Sequence, residues 1–329
     1  MTKAKYQNPF SATFNGIIDL FRKQIPIGEL KPSDRLDGKT CLVTGANSGL
    51  GYAIAVQLIE RGGFVYLACR SQQEETQRKL KERFNESQFE VLALDLADFG
   101  SIQAFAEELK QRGKLLDVAV FNAAMVPSGS KKLASGFDEM FQVNYLSKFY
   151  LINQLIQAKM FAEDGLAPAR IIFISSESHR TNRPIDFEKL GQFEEYSMGK
   201  VIDLYGYYKL VLNTFAVELG RRLRVEKRLI DVFAMCPGPV NSNIARRAPT
   251  WVQPILKLVF SMFFSSPEKA AKPTIYLATS SDIAGRENLY LHLMQDKSMD
   301  IKALEEESGK NLWNRSVELL SPLKLLSFK

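Results

Sequence analysis

The chain has 329 residues, 46% of them hydrophobic and 24% charged, which is ordinary globular usage and excludes a disordered or collagen-like polypeptide. Its length suffices to bury a full core without metal or disulfide staples. With 43 Lys and Arg against 37 Asp and Glu the formal charge is +6: an ordinary solvated surface is the plain account, no nucleic-acid partner is implied, and a nucleotide cofactor or an anionic surface would also suit it.

Residues 1–38 read as an N-terminal extension. Phe10, Phe14, Ile17, Ile18, Phe21 and Ile25 fall on one face of an amphipathic helix, with Ser11 as N-cap and Pro26 as the stop. That face either packs on the main domain or serves as a membrane-surface anchor or a lid at the substrate mouth. Gly28 to Gly38 follows as a linker. No span reaches the roughly 18 apolar residues of a membrane-crossing helix, and the N-terminus lacks the apolar core of a secretory signal. The expectation is a soluble protein, cytoplasmic or peripheral on the cytoplasmic face of a membrane. Cys41, Cys69 and Cys236 lie in or beside apolar runs, none in a Cys-x-x-Cys, and read as buried reduced thiols.

From residue 39 to about 295, short apolar runs alternate with amphipathic stretches. The runs Thr40–Thr44, Phe64–Ala68, Phe89–Leu94, Leu116–Phe121, Arg170–Ser175 and Leu229–Met235 predict strands. Helices are predicted near 49–61, 72–84, 99–111, 136–160 and 200–224. Such alternation implies βαβ units: a single doubly wound α/β domain whose parallel sheet is flanked by helices. Within it, Trp251–Phe264 carries a large apolar load, explained by core packing, a lipophilic substrate, membrane contact or a homodimer interface. Residues 296–329 form a tail with helical spacing in Leu304, Leu312, Leu319 and Leu320.

The first strand runs into Thr44-Gly45-Ala46-Asn47-Ser48-Gly49-Leu50-Gly51, and a helix follows. Glycines 45, 49 and 51 let the backbone approach a pyrophosphate, whose charge the helix N-terminus favours. The second strand ends on Cys69-Arg70-Ser71, where an NAD-selective site places a carboxylate. Arg70 instead suits a 2′-phosphate, so NADP(H) is expected. Asp95, before Leu96, can accept from an adenine amine or cap a turn. Small residues in Asn122-Ala123-Ala124 let backbone lie close to the cofactor. Tyr205 and Lys209, four apart, share one helix face, and a nearby ammonium lowers a phenol pKa toward proton transfer at neutral pH. Ser175 and Ser176 end a strand, and one of them can donate to a substrate oxygen, the alternative being a turn cap. Asn144 sits mid-helix, holding a water or a backbone carbonyl, or serving as a satisfied core polar group. His179 lines the site or, more simply, braces a loop. With two histidines and three scattered cysteines, no metal site is visible.

In order, the glycine turn at 44–51, Asn122-Ala123-Ala124, Asn144, Ser175-Ser176, Tyr205-x3-Lys209 and Pro237-Gly238-Pro239-Val240 resemble the short-chain dehydrogenases/reductases over residues 39 to about 295. The chain is most similar to the retinol dehydrogenase and WW-domain-containing oxidoreductase group. The resemblance implies a Rossmann-type fold and an NADP(H)-dependent oxidoreductase acting on a lipophilic alcohol or carbonyl. It implies catalytic roles for Asn144, Ser176, Tyr205 and Lys209. It implies cofactor contacts from Gly45, Asn47, Ser48, Gly49, Leu50, Gly51, Arg70, Asp95, Leu96, Asn122, Ala123, Tyr205, Lys209, Pro237, Gly238, Val240 and Ser242. Three features depart from the family pattern: Ala124 where Gly is usual, the bulky Tyr208 before Lys209, and a 29-residue gap between Ser176 and Tyr205. Ala124 and Tyr208 keep open a dinucleotide-binding regulatory or scaffold protein with little turnover. Asn-Ala-Ala also resembles the light-dependent protochlorophyllide reductases.

Overall fold

The computed structural model describes residues 26–163, 165, 167–238 and 265–323. In chain order they form β1 (Thr40–Thr44), α1 (Gly49–Glu60), β2 (Phe64–Cys69), α2 (Gln73–Lys81), β3 (Phe89–Ala93), α3 (Phe99–Arg112) and β4 (Val118–Phe121). Glu139–Phe141 and a π turn, Gln142–Leu146, then lead into α4 (Ser147–Gln157). After it come β5 (Ala169–Ile174), α5 (Met198–Val225), β6 (Ile230–Cys236), α6 (Pro267–Thr279), β7 (Tyr290–His292), β8 (Gln295–Asp296), α7 (Ile301–Leu304) and α8 (Glu306–Leu320).

The strands line up β3-β2-β1-β4-β5-β6-β7-β8, parallel except for the antiparallel β8. Their near-continuous apolar runs follow from burial on both faces. In β1, Cys41 and Val43 point to one core layer, with Ile54, Leu58 and Ile275 of α1 and α6, while Leu42 points to the other, with Phe105, Phe149 and Phe215 of α3, α4 and α5. The order reverses between β1 and β4, which opens a crevice at the carboxyl ends of those strands. The glycine turn and the Asn122 segment both emerge there.

Three features differ from the sequence reading. The stretch near 136–160 is interrupted by the π turn, at Asn144. A further helix, α6, was hidden by Pro267 at its start and Pro273 inside it. The Gly28–Gly38 segment is fastened rather than loose. Ile27 donates to the Met294 carbonyl at 2.7 Å, Arg61 Nη1 to the Asp34 carbonyl at 2.5 Å, and Leu36 is 4% exposed. In the tail, α8 lays Trp313 edge-on to Phe149 at 5.0 Å, with the Arg222 guanidinium 4.1 Å from the indole centroid. The helix expected over 10–25, the apolar stretch 251–264, and Val240 and Ser242 lie outside the described residues.

Candidate active site

The glycine turn is built by close approach. Gly45 has φ +66° and donates from N–H to the Ala68 carbonyl at 2.8 Å. A Cβ on Gly51 would stand 2.2 Å from the Gly45 carbonyl oxygen and 2.4 Å from Asn122 Nδ2. Asn122 stitches the turn by donating to the carbonyls of Thr44 (3.0 Å) and Gly45 (3.2 Å), and the Ala123 N–H donates to Thr44 Oγ1 at 3.1 Å. Asn122, expected beside the adenosine, therefore also braces the turn itself. Gly49 differs from its neighbours. Its φ is +56°, but a Cβ there would meet nothing within 4 Å, so this position faces open space.

Ser48 precedes α1 without a side-chain capping bond, and Leu50 is half-buried on the first turn. The first N–H groups and the positive end of the helix dipole are thus directed at the crevice, as an anion site requires. Asn47 Nδ2 spans to the Ser71 carbonyl (3.4 Å) and Gln72 Oε1 (3.2 Å), joining this turn to the end of β2. Arg70 there is exposed, with no ion pair among the described residues. Asp95 makes the turn cap: its Oδ1 accepts from the Ala97 N–H at 2.9 Å. Leu96 is buried, and its carbonyl accepts from Gln142 Nε2 at 3.3 Å.

A second cluster forms where β5, β6 and α5 meet. Lys209 is 1% exposed and donates from Nζ to the Ile174 carbonyl at 2.7 Å, with Nζ 5.4 Å from the Tyr205 ring centroid. Burial pulls the Lys209 amine down to about 8, and burial, with Cys236 adding to it, pushes the half-buried Tyr205 phenol above its ordinary value. The expected lowering of the phenol by Lys209 is thus not what the chain alone produces; desolvation wins. A cation brought against the ring from outside acts in the opposite sense.

The two serines follow the end of β5 and part there. Ser175 is 3% exposed, its hydroxyl without a partner among the described residues. Ser176 faces out. Its Oγ accepts from the Ser178 N–H (3.2 Å) and hydroxyl (2.9 Å), which leaves its own O–H to donate. Gly206, beside Tyr205, lets this turn pass close over α5, since a Cβ there would lie 2.6 Å from the Ser178 carbonyl oxygen. The sequence reading missed Gly206. Its signal is a glycine inside a helix, which costs about 1 kcal/mol against alanine and calls for a packing reason.

His179 braces the loop: Nδ1 lies 2.7 Å from the Ser176 carbonyl and Nε2 3.1 Å from the Asp300 N–H. Only the neutral ring protonated at Nδ1 satisfies both, and burial holds its pKa at about 4. Glu177 beside it accepts from the Tyr290 hydroxyl at 2.8 Å. Burial would raise that carboxyl, but Arg180, His292 and Lys297 hold it down at about 2.

Asn144 is fully buried, and both ends of its amide are used: Oδ1 accepts from the Met125 N–H (2.8 Å) and Nδ2 donates to the Met125 carbonyl (2.9 Å). It fixes the loop after β4, and its main-chain carbonyl accepts from Nζ of the fully buried Lys148 at 2.9 Å. Tyr208 does not face the crevice freely; it is 9% exposed and packs on Phe141 at 5.5 Å. Ala124, the other departure, is exposed. Pro237 follows β6, and Gly238 turns at φ +72°.

A short chain dehydrogenase family profile matches residues 39–185. Retinol dehydrogenase 14 of Mus musculus is 33% identical over 303 residues, covering 88% of each chain. Retinol dehydrogenase 13 of Homo sapiens is 31% identical over 326 residues and 96% of each. The WW domain-containing oxidoreductase of Gallus gallus is 31% identical over 297 residues, 87% of this chain and 69% of its own. Among solved structures, an uncharacterized protein from Mycobacterium paratuberculosis superposes with a TM-score of 0.69 at 24% identity, over 89% of this chain and 98% of that one. The Pseudomonas aeruginosa RhlG/NADP active-site complex does so with 0.61 at 23%, over 80% and 98%.

Proposed function

This chain belongs to the short-chain dehydrogenases/reductases, in the retinol dehydrogenase group, and we propose that it transfers a hydride between NADP(H) and a lipophilic alcohol or carbonyl with Tyr205 as the acid–base. The family binds a nicotinamide dinucleotide, and the residues present fit one. Glycines 45 and 51 fold the turn so tightly that a methyl group cannot enter, Gly49 leaves open space beside it, and the α1 N-terminus starts there without a side-chain cap. When bound, the dinucleotide supplies or accepts the hydride. Arg70, exposed where a carboxylate would select NAD, supports a 2′-phosphate.

The observation that carries the reading is the convergence of Ser176, Tyr205 and Lys209 at the carboxyl ends of β5 and β6, through the Lys209–Ile174 bond and the tight Gly206–Ser178 contact. The Ser176 hydroxyl, its oxygen already accepting two bonds, donates to the substrate oxygen and holds it. The Tyr205 phenol, kept protonated by burial, gives its proton to that oxygen as the carbonyl is reduced. In the oxidation direction the same oxygen returns its proton to a Tyr205 phenolate, so oxidation gains as pH rises. Met198 (64% exposed) and Ile202 (45%) lead toward Tyr205 along one face of α5, an apolar approach that supports a lipophilic substrate.

Tyr205→Phe tests this: retinal- or other carbonyl-dependent NADPH oxidation is expected to drop by at least 100-fold while NADPH still binds. Turnover near wild type in that variant removes Tyr205 from the chemistry.

A further inference from the structure

Tyr196 joins two segments that both lead into the site. Its hydroxyl donates to the Asp138 carboxylate, 3.0 Å from Oδ2 and 3.2 Å from Oδ1, and its main-chain carbonyl accepts from the Ser130 N–H at 3.3 Å. Asp138 is 3% exposed and also accepts from the Met140 and Phe141 N–H groups at 3.0 and 3.2 Å. It thereby caps the helical turn that runs into the π turn and Asn144. Asn144 in turn holds the far end of the same loop at Met125. On the other side, Tyr196 stands just before α5, whose Ser197 offers no side-chain cap. The Tyr196 bonds therefore fix where α5 begins, and Met198, Ile202 and Tyr205 follow along one face of it. Seven large hydrophobic side chains are exposed among the described residues, and three of them, Val126, Met198 and Ile202, lie on the two segments that Tyr196 joins. Met198 and Ile202, four apart, are neighbours on the helix, and grouped apolar side chains mark a contact surface where scattered ones do not.

We propose that the Tyr196–Asp138 bond determines specificity on the substrate side: it holds the start of α5 against the loop after β4, so that Met198 and Ile202 form an apolar rim along which the substrate's hydrocarbon chain lies, its oxygen at Tyr205. The proposal rests on the reading of Tyr205 given above and names what that site selects, the length of the apolar chain. Tyr196 touches no reacting atom; it is a positioning residue that acts through Met198 and Ile202. A hydroxyl bonded to a carboxylate is charge-assisted and among the stronger hydrogen bonds. Burial and the Asp138 charge push the Tyr196 phenol up, so it remains the donor. Removing the hydroxyl alone frees the first turn of α5 while the ring stays packed on the core shared with Met125 and Leu204.

The test is kcat/KM for NADPH-dependent reduction of straight-chain aldehydes, butanal to decanal, by the full chain. In wild type it is expected to rise by about twofold per methylene, half the free energy of a fully buried one. Tyr196→Phe should leave butanal within twofold of wild type and cut decanal tenfold or more through KM, with kcat and NADPH affinity within twofold. Asp138→Asn keeps an acceptor oxygen and should recover most of the decanal loss. An unchanged chain-length dependence in Tyr196→Phe, or an equal loss at every length, overturns the proposal. If Tyr196→Phe does not fold, Ile202→Ala carries the test, since that side chain is exposed, and an undiminished gain with length there overturns the proposal too. Tyr205→Phe separates the two readings: it should abolish turnover of butanal and decanal alike, and turnover surviving it sinks the acid–base assignment while the chain-length dependence still judges Tyr196. Where wild type reduces no aldehyde, the hydride-transfer reading falls, and binding of decanol against butanol, followed by quenching of bound NADPH fluorescence, applies the same criterion to Tyr196→Phe.

Discussion

Two glycines six residues or fewer from Gly45 should respond differently to the same added methyl. In Gly51→Ala the new Cβ stands 2.2 Å from the Gly45 carbonyl oxygen and 2.4 Å from Asn122 Nδ2. Ordinary contact needs about 3.2 Å or more, so α1 must move off the turn by about 1 Å. Overpacking of this kind costs about 1–3 kcal/mol. The shift also endangers the two Asn122 bonds to the Thr44 and Gly45 carbonyls, each worth about 1 kcal/mol. A total of about 2–4 kcal/mol follows, with the helix N-terminus misaimed. In Gly49→Ala the methyl meets nothing within 4 Å, and only the φ of +56° is penalised, at about 1–2 kcal/mol. Its methyl instead enters the space where the dinucleotide must lie. Urea denaturation and NADPH fluorescence titration separate the two. Gly51→Ala should lose stability and binding together, whereas Gly49→Ala should lose at least tenfold in binding for a smaller loss of stability. Wild-type stability and affinity in Gly51→Ala would refute the packing argument, and wild-type affinity in Gly49→Ala would show that the cofactor does not cross that turn.

His179 should make the fold acid-sensitive in a defined window. Its folded pKa of about 4 lies below its ordinary 6.5, so the unfolded chain binds the proton first, and stability falls as pH drops from 6.5 to 4. The shift amounts to about 3 kcal/mol; Tm measured across that range should fall in wild type and fall less steeply in His179→Gln, and equal slopes would count against it. Arg70→Ala should cut the preference for NADPH over NADH by tenfold or more in paired titrations, and an unchanged ratio would show that Arg70 does not read the 2′-phosphate. Trp313→Ala should destabilise by about 3–5 kcal/mol in denaturant, because the indole packs against Phe149 and Phe215 under Arg222; a loss under 1 kcal/mol would mean that α8 is only laid on the surface.

The strands were legible because burial on both faces writes them as apolar runs: Thr40–Thr44 and Phe64–Cys69 fall where Val, Leu and Cys cluster. The glycine turn and Tyr205-x3-Lys209 were legible because their spacing is dictated by one turn of helix and one tight corner. The rest depended on direction, which spacing does not carry. Ser175 and Ser176, just past the end of β5, were separated only by burial: the first is inside, the second half-buried. Asn144 had open alternatives until both its amide atoms were found on Met125. Lys148 went unread because a lysine normally marks a solvated face, and only the company of Phe149, Tyr150 and Leu151 hints that this one is inside. The phenol of Tyr205 was expected to be lowered by its lysine, but burial, invisible in the sequence, outweighs it.

The central claim is that this crevice is a working NADP(H) site with Tyr205 as its proton donor. Its most direct test is a fluorescence titration of the purified chain with NADPH and NADH, followed by oxidation of the bound cofactor with retinal and other apolar carbonyls, in wild type and Tyr205→Phe. Tighter binding of NADPH and Tyr205-dependent oxidation are the expected result. Binding without oxidation across that panel would contradict the catalytic claim in favour of a dinucleotide-binding regulatory protein, and failure to bind either cofactor would mean that the exposed Ala124 methyl or a neighbour closes the crevice.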